Sequence, residues 1–82
     1  NKMEFIHGLN LDLDSVNKIL KIAQKKSYIE NKDFINTCND FRFEPISKKF
    51  EFHFRSDFDL IKLELEMDKF IECYVAFIKT LE

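Results

Sequence analysis

Few residues in this chain could carry chemistry, and they are scattered. His7 and His53 are the only histidines, Cys38 and Cys73 the only cysteines, and Gly8 the only glycine. In Phe50-Glu51-Phe52-His53-Phe54-Arg55, strand alternation puts Glu51, His53 and Arg55 on one outer face, where a carboxylate beside an imidazole could serve acid/base catalysis. No motif places a nucleophile there, so a solvated histidine on a polar sheet face is the reading adopted. His7 falls at an apolar position of its own segment and is read as an edge or hydrogen-bonded histidine rather than a ligand. Asp12, Asp14, Asp57, Asp59, Glu64, Glu66 and Asp68 form neither a DxDxDG calcium loop nor a paired acid site, and read as caps and solvating groups. A single glycine excludes every Gly-rich phosphate cradle. The cysteines lie in no CxxC or Cys/His cluster, which points to two free thiols in a reducing compartment and to neither a zinc site nor a disulfide framework. No catalytic residue, metal or cofactor is expected, and the chain is read as a non-enzyme.

Composition narrows the remaining classes. Thirteen basic against 15 acidic residues give a net charge of −2, so there is no general attraction for nucleic acid. Lys25-Lys26 and Lys48-Lys49 are too small as clusters to change that. A hydrophobic fraction of 45% with ten Phe argues against disorder, because that much apolar surface offsets chain entropy. Neither an 18-residue apolar run nor a basic-then-apolar leader is present, so no membrane span is expected. The 82 residues are read as a single domain over 1–82.

The elements that must position these residues follow from hydrophobic spacing. From Met3 to Leu13 the odd positions Met3, Phe5, Leu9, Leu11 and Leu13 are apolar, which predicts a half-buried strand. Asp14 or Ser15 is the expected N-cap of a helix carrying Val16, Ile19, Leu20 and Ala23 and ending near Lys25-Lys26. Ser27 to Asp40 shows no clear period and reads mostly as loop. Phe41 and Phe43, then Phe50, Phe52 and Phe54, alternate with charged residues about Pro45-Ile46-Ser47-Lys48, which predicts a β-hairpin with five Phe facing the helices. Ile61, Leu63, Leu65 and Met67 alternate as a strand would. Strong helix formers and the absence of a turn residue before Phe70 favour one helix from Leu60 to Glu82, capped by Asp57 or Asp59. The expected fold is α+β in the order β-α-β-β-α, a three-stranded antiparallel sheet with two helices packed on one face.

That last helix carries a seam of Leu60, Leu63, Met67, Phe70, Tyr74, Phe77 and Leu81, widened by Ile61, Leu65, Ile71, Val75 and Ile78. A helix so apolar has its own sheet to touch and a second surface left for another protein. The expected partner-binding residues are Val16, Ile19, Leu20, Leu63, Phe70, Tyr74, Phe77 and Ile78, and the Phe-rich sheet with open edges is expected to self-associate.

The run Phe54-Arg55-Ser56-Asp57-Phe58-Asp59-Leu60-Ile61-Lys62, then Phe70-Ile71 and a helix ending Phe77-Ile78-Lys79-Thr80-Leu81, resembles the small Pcc-type subunit of the KEOPS (EKC) complex, from Leu9 to Leu81. The resemblance implies a noncatalytic dimerisation or scaffold subunit supporting N6-threonylcarbamoyladenosine formation in tRNA. It would lay its two helices on the Kae-type catalytic subunit and pair as a homodimer or with a Gon-type small subunit. Contact with tRNA would be only indirect, and the setting cytoplasmic or nuclear. The alternative is a small immunity or inhibitor protein that blocks a toxin or nuclease through a basic surface of its target. A KH- or RRM-type RNA module is disfavoured, since there is no GXXG loop and the outer sheet face carries Arg42, Glu51, His53 and Arg55 instead of stacking aromatics.

Overall fold

Asp12 starts the first helix. In a computed structural model that describes residues 8–9, 11–30, 38–55 and 59–82, its Oδ1 accepts from the Ser15 backbone N–H at 2.8 Å, and α1 runs Leu13–Lys25. The cap lies earlier than Asp14 or Ser15, and that shift removes the end of the predicted first strand: Leu11 and Asp12 are irregular and Leu13 is already helical. Gly8 is helical and Leu9 irregular, and the other residues of that predicted strand, Met3 to His7 and Asn10, lie outside the described residues. Val16, Ile19, Leu20 and Ala23 form the buried stripe of α1, as their spacing requires. Ser27 then turns the chain with φ 63°, its N–H bonding the Gln24 carbonyl at 3.0 Å while Tyr28 N–H reaches the Ala23 carbonyl at 2.9 Å. This pair of bonds is a Schellman closure, and it satisfies carbonyls the helix end leaves open.

The hairpin forms as its alternation predicts, in strands β1 (Cys38–Glu44) and β2 (Lys49–Arg55), with Phe41 opposite Phe52 and Phe43 opposite Phe50. β1 begins at Cys38, so the segment read as loop gives up its last residues to the sheet. Beyond residue 55 the expectation of one long helix fails. Leu60–Glu66 is a third strand, β3, antiparallel to β2 with Phe50 opposite Leu65, Phe52 opposite Leu63 and Phe54 opposite Ile61. Only the strand form places Ile61, Leu63 and Leu65 on one side, where they line up with the three Phe of β2. Local helix preference loses to that pairing. The helix α2 begins at Met67 and ends at Thr80; Met67 N–H donates to the Lys48 carbonyl at 3.1 Å, so the hairpin turn itself supplies a partner at the helix start. Asp59 is therefore no cap, and Asp57 lies outside the described residues.

Among the described residues the order is α-β-β-β-α, against the expected β-α-β-β-α, around a three-stranded antiparallel sheet in the order β1-β2-β3. One continuous core joins both helices to one sheet face: Val16, Ile19, Leu20 and Ala23 of α1, Phe70, Cys73 and Phe77 of α2, and Cys38, Phe50, Phe52, Phe54 and Leu65 of the sheet. Phe50 and Phe70 stack with ring centroids 4.0 Å apart, tying α2 to the middle strand. Among the described residues no charged or polar side chain is buried.

Candidate functional site

Among the described residues two surfaces stand out on which function could be built. The first is the charged outer face of the sheet, organised by Glu51 at its centre. Arg42 Nε donates to Glu51 Oε1 at 2.9 Å and Arg42 Nη2 to Glu44 Oε2 at 3.1 Å, while Lys62 Nζ lies 3.9 Å from Glu51 and 3.7 Å from Glu64. Register puts Glu51 directly opposite Glu64, a repulsive pair that Lys62 bridges from beside both. The hydrogen bond from Arg42 holds the Glu51 carboxyl below its ordinary range. His53 Nε2 stands 3.6 Å from Glu51 Oε1, beyond hydrogen-bond length, and has no other partner. The expected grouping of Glu51 and His53 is therefore real, but it is Arg42 that hydrogen-bonds the carboxylate and makes it a weaker base than a free one. Among the described residues no cluster of three or more His, Cys, Asp or Glu could hold a metal ion. Burial raises the thiols of both Cys38 and Cys73, which makes them poor nucleophiles.

The second surface is α2. Phe70, Cys73 and Phe77 are its buried stripe, and beside them Met67, Ile71, Tyr74, Val75 and Ile78 follow one another at steps of three, four and one. Met67, Ile71, Tyr74 and Ile78 are half-buried, and Val75 is 43% exposed. Met67, Tyr74 and Ile78 pack partly against the core from its margin, while Ile71 and Val75 carry the apolar surface further round the helix.

The expected partner-binding residues divide accordingly. Val16, Ile19, Leu20 and Phe70 are fully enclosed and Phe77 nearly so, and these five hold the two helices to the sheet instead of facing outward. Leu63 is half-buried on the sheet, and Tyr74 and Ile78 lie on the outer stripe of α2. Met67, Ile71 and Val75 complete that stripe. The sequence signal for them was present, Met67 within the expected seam and Ile71 and Val75 beside it. Heptad spacing alone does not tell which of two adjacent apolar rows meets the core, because the answer depends on where the sheet lies.

Tyr28, outside the expected set, fixes the end of α1 against α2. The Lys69 ammonium sits 4.2 Å from its ring centroid, and the Glu72 carboxylate accepts from its hydroxyl, raising the phenol above its ordinary range. Residues 69 and 72 are one helical turn apart, so a single aromatic ring bridges two neighbouring charges. Comparison with known protein families, curated proteins and solved structures finds no match for the chain.

Proposed function

We propose that this chain is a noncatalytic protein-binding domain that presents the outer stripe of α2 to another protein. One observation carries the reading: beyond the buried row Phe70, Cys73 and Phe77 and the half-covered Met67, Tyr74 and Ile78 at its margin, the apolar surface of α2 continues to Ile71 and Val75, which stand outside the core cluster. The sheet's charged face, in contrast, has its charges set against one another and no aromatic platform. The partner implied by the sequence resemblance is a Kae-type threonylcarbamoyl transferase subunit. The α-β-β-β-α order and the strand at Leu60–Glu66 depart from what that family resemblance implies, so support comes from the stripe itself.

The test is a binding measurement with a Kae-type subunit on wild type, Val75→Asp and Ile71→Asp, with circular dichroism on each. Loss of about tenfold or more in affinity by variants that keep native dichroism supports both the surface and the partner. Wild-type protein that fails to bind removes that partner. A photo-crosslinking residue at position 75 then tests the surface alone in lysate of the source cell: a discrete adduct retains it, and none rejects it.

A further inference from the structure

The two outer edges of the sheet are treated differently. β1 is interrupted by a bulge between Cys38 and Asp40, and side chains take its backbone donors: Cys38 N–H goes to Asn17 Oδ1 at 3.1 Å and Phe41 N–H to Asp40 Oδ1 at 2.9 Å. Bulges and capped donors are how a sheet edge is closed to further pairing. β3 shows neither among the described residues. It is a regular seven-residue strand whose partners are all on β2, with Lys62 and Glu64 exposed on one side and Ile61, Leu63 and Leu65 on the other.

We propose that a second copy of this chain pairs with β3 along that edge, antiparallel, about a two-fold axis through Leu63. The sequence of β3 is complementary to itself in that register. Lys62 faces Glu64 of the other copy, twice by symmetry; Ile61 faces Leu65, and Leu63 faces its own counterpart. Other registers are worse. A shift of two residues sets Lys62 against Lys62 or Glu64 against Glu64, and a shift of one turns the apolar face of one copy toward the charged face of the other. The groove between β3 and the segment after α1, which Tyr28, Ile29, Glu30, Leu63 and Glu64 line, fits the same occupant: its charged residues are acidic, and the incoming copy brings Lys62. Two three-stranded sheets would join into one of six strands, with the α2 stripe left free on each copy. This edge pairing gives the self-association expected from open edges a location, and it is independent of the α2 reading.

Sedimentation equilibrium on wild type, Lys62→Glu, Glu64→Lys and an equimolar mixture of the two variants tests it. Wild type is expected to dimerise reversibly. Each variant, which carries like charges across the axis, should dimerise at least about tenfold more weakly, and the mixture should recover dimer because every Glu then meets a Lys. A wild type that stays monomeric up to roughly 500 µM overturns the proposal. So does equal dimerisation by wild type and both variants, or a dimer abolished by Val75→Asp and untouched by the charge swaps. A second measurement is independent of charge. Leu63→Cys should form an intermolecular disulfide under mild oxidation, since residues facing each other on an antiparallel pair have Cα atoms about 4.5 to 5.5 Å apart. Failure to crosslink in a folded variant rejects the register.

Discussion

Asn17 spans the junction between α1 and β1. Its Nδ2 donates to the Leu13 carbonyl at 2.9 Å, and its Oδ1 accepts from the Cys38 N–H at 3.1 Å across 21 residues of sequence. Asn17→Ala leaves a part-buried backbone donor without its acceptor, so urea denaturation should show a loss of about 1 to 2 kcal/mol, and Asn17→Asp, which keeps an acceptor, should lose less. An Ala variant as stable as wild type would mean that water replaces the bond at no cost. At Glu51 the effect is ionic. Its pKa is lowered in the fold by Arg42, so its stabilisation is present above the unfolded-state value, about 4.3, and is lost as pH falls through the depressed folded value. The difference in melting temperature between wild type and Glu51→Gln should therefore be full at neutral pH and close in acid; a difference that does not change with pH would show that packing, not charge, is what Glu51 contributes. His53 and Glu51 could be placed on one face from alternation alone. That Arg42, and not His53, holds the carboxylate could not, because this depends on side-chain reach across the strand pair.

Among the elements, α1 and the hairpin were legible because each has one period and one meaning: Val16, Ile19, Leu20 and Ala23 fit only a helix, and alternating Phe fits only a strand. Leu60–Glu66 fits both. Its Leu, Glu and Lys prefer helix locally, while the open edge of β2, with Phe50, Phe52 and Phe54 needing neighbours, favours a strand, and that need is invisible in the segment itself. The boundary at Met67 was equally hidden, since the Lys48 carbonyl that meets its N–H comes from a turn 19 residues earlier. Lys48 holds φ 58° to place that carbonyl, and Ser27 holds φ 63° at the end of α1. Both are left-handed conformations that a side chain disfavours. Ser27 keeps its N–H bond to Gln24 whatever its side chain, so Ser27→Gly should raise stability by about 0.5 to 1 kcal/mol, the relief of left-handed strain exceeding the added entropy of the unfolded chain. Denaturation midpoints at equal slope would measure it, and an unchanged or lowered midpoint would contradict the strain reading.

At the scale of the whole molecule, the core is one cluster with Phe52 near its middle. Phe52 is fully buried on the central strand, between Phe41 on β1 and Leu63 on β3, with its ring 6.0 Å from that of Phe70 on α2. Truncating a buried Phe to Ala costs about 3 to 5 kcal/mol, through lost transfer energy and the cavity left behind. A domain of this length has a total stability of roughly 4 to 12 kcal/mol, so that loss consumes a large part of it. Phe41 and Phe43 are only half-buried on the edge strand, and truncation there removes less contact and leaves no closed cavity. Phe52→Ala should thus be marginal or unfolded at 37 °C, while Phe41→Ala and Phe43→Ala remain folded with a lowered melting temperature. Because both helices share this single cluster, secondary structure and tertiary packing should be lost together, with far-ultraviolet dichroism and tyrosine fluorescence tracing one transition in every variant that folds. Two separate transitions, or a Phe52→Ala protein as stable as Phe41→Ala, would mean that the helices and sheet hold themselves together independently of this cluster.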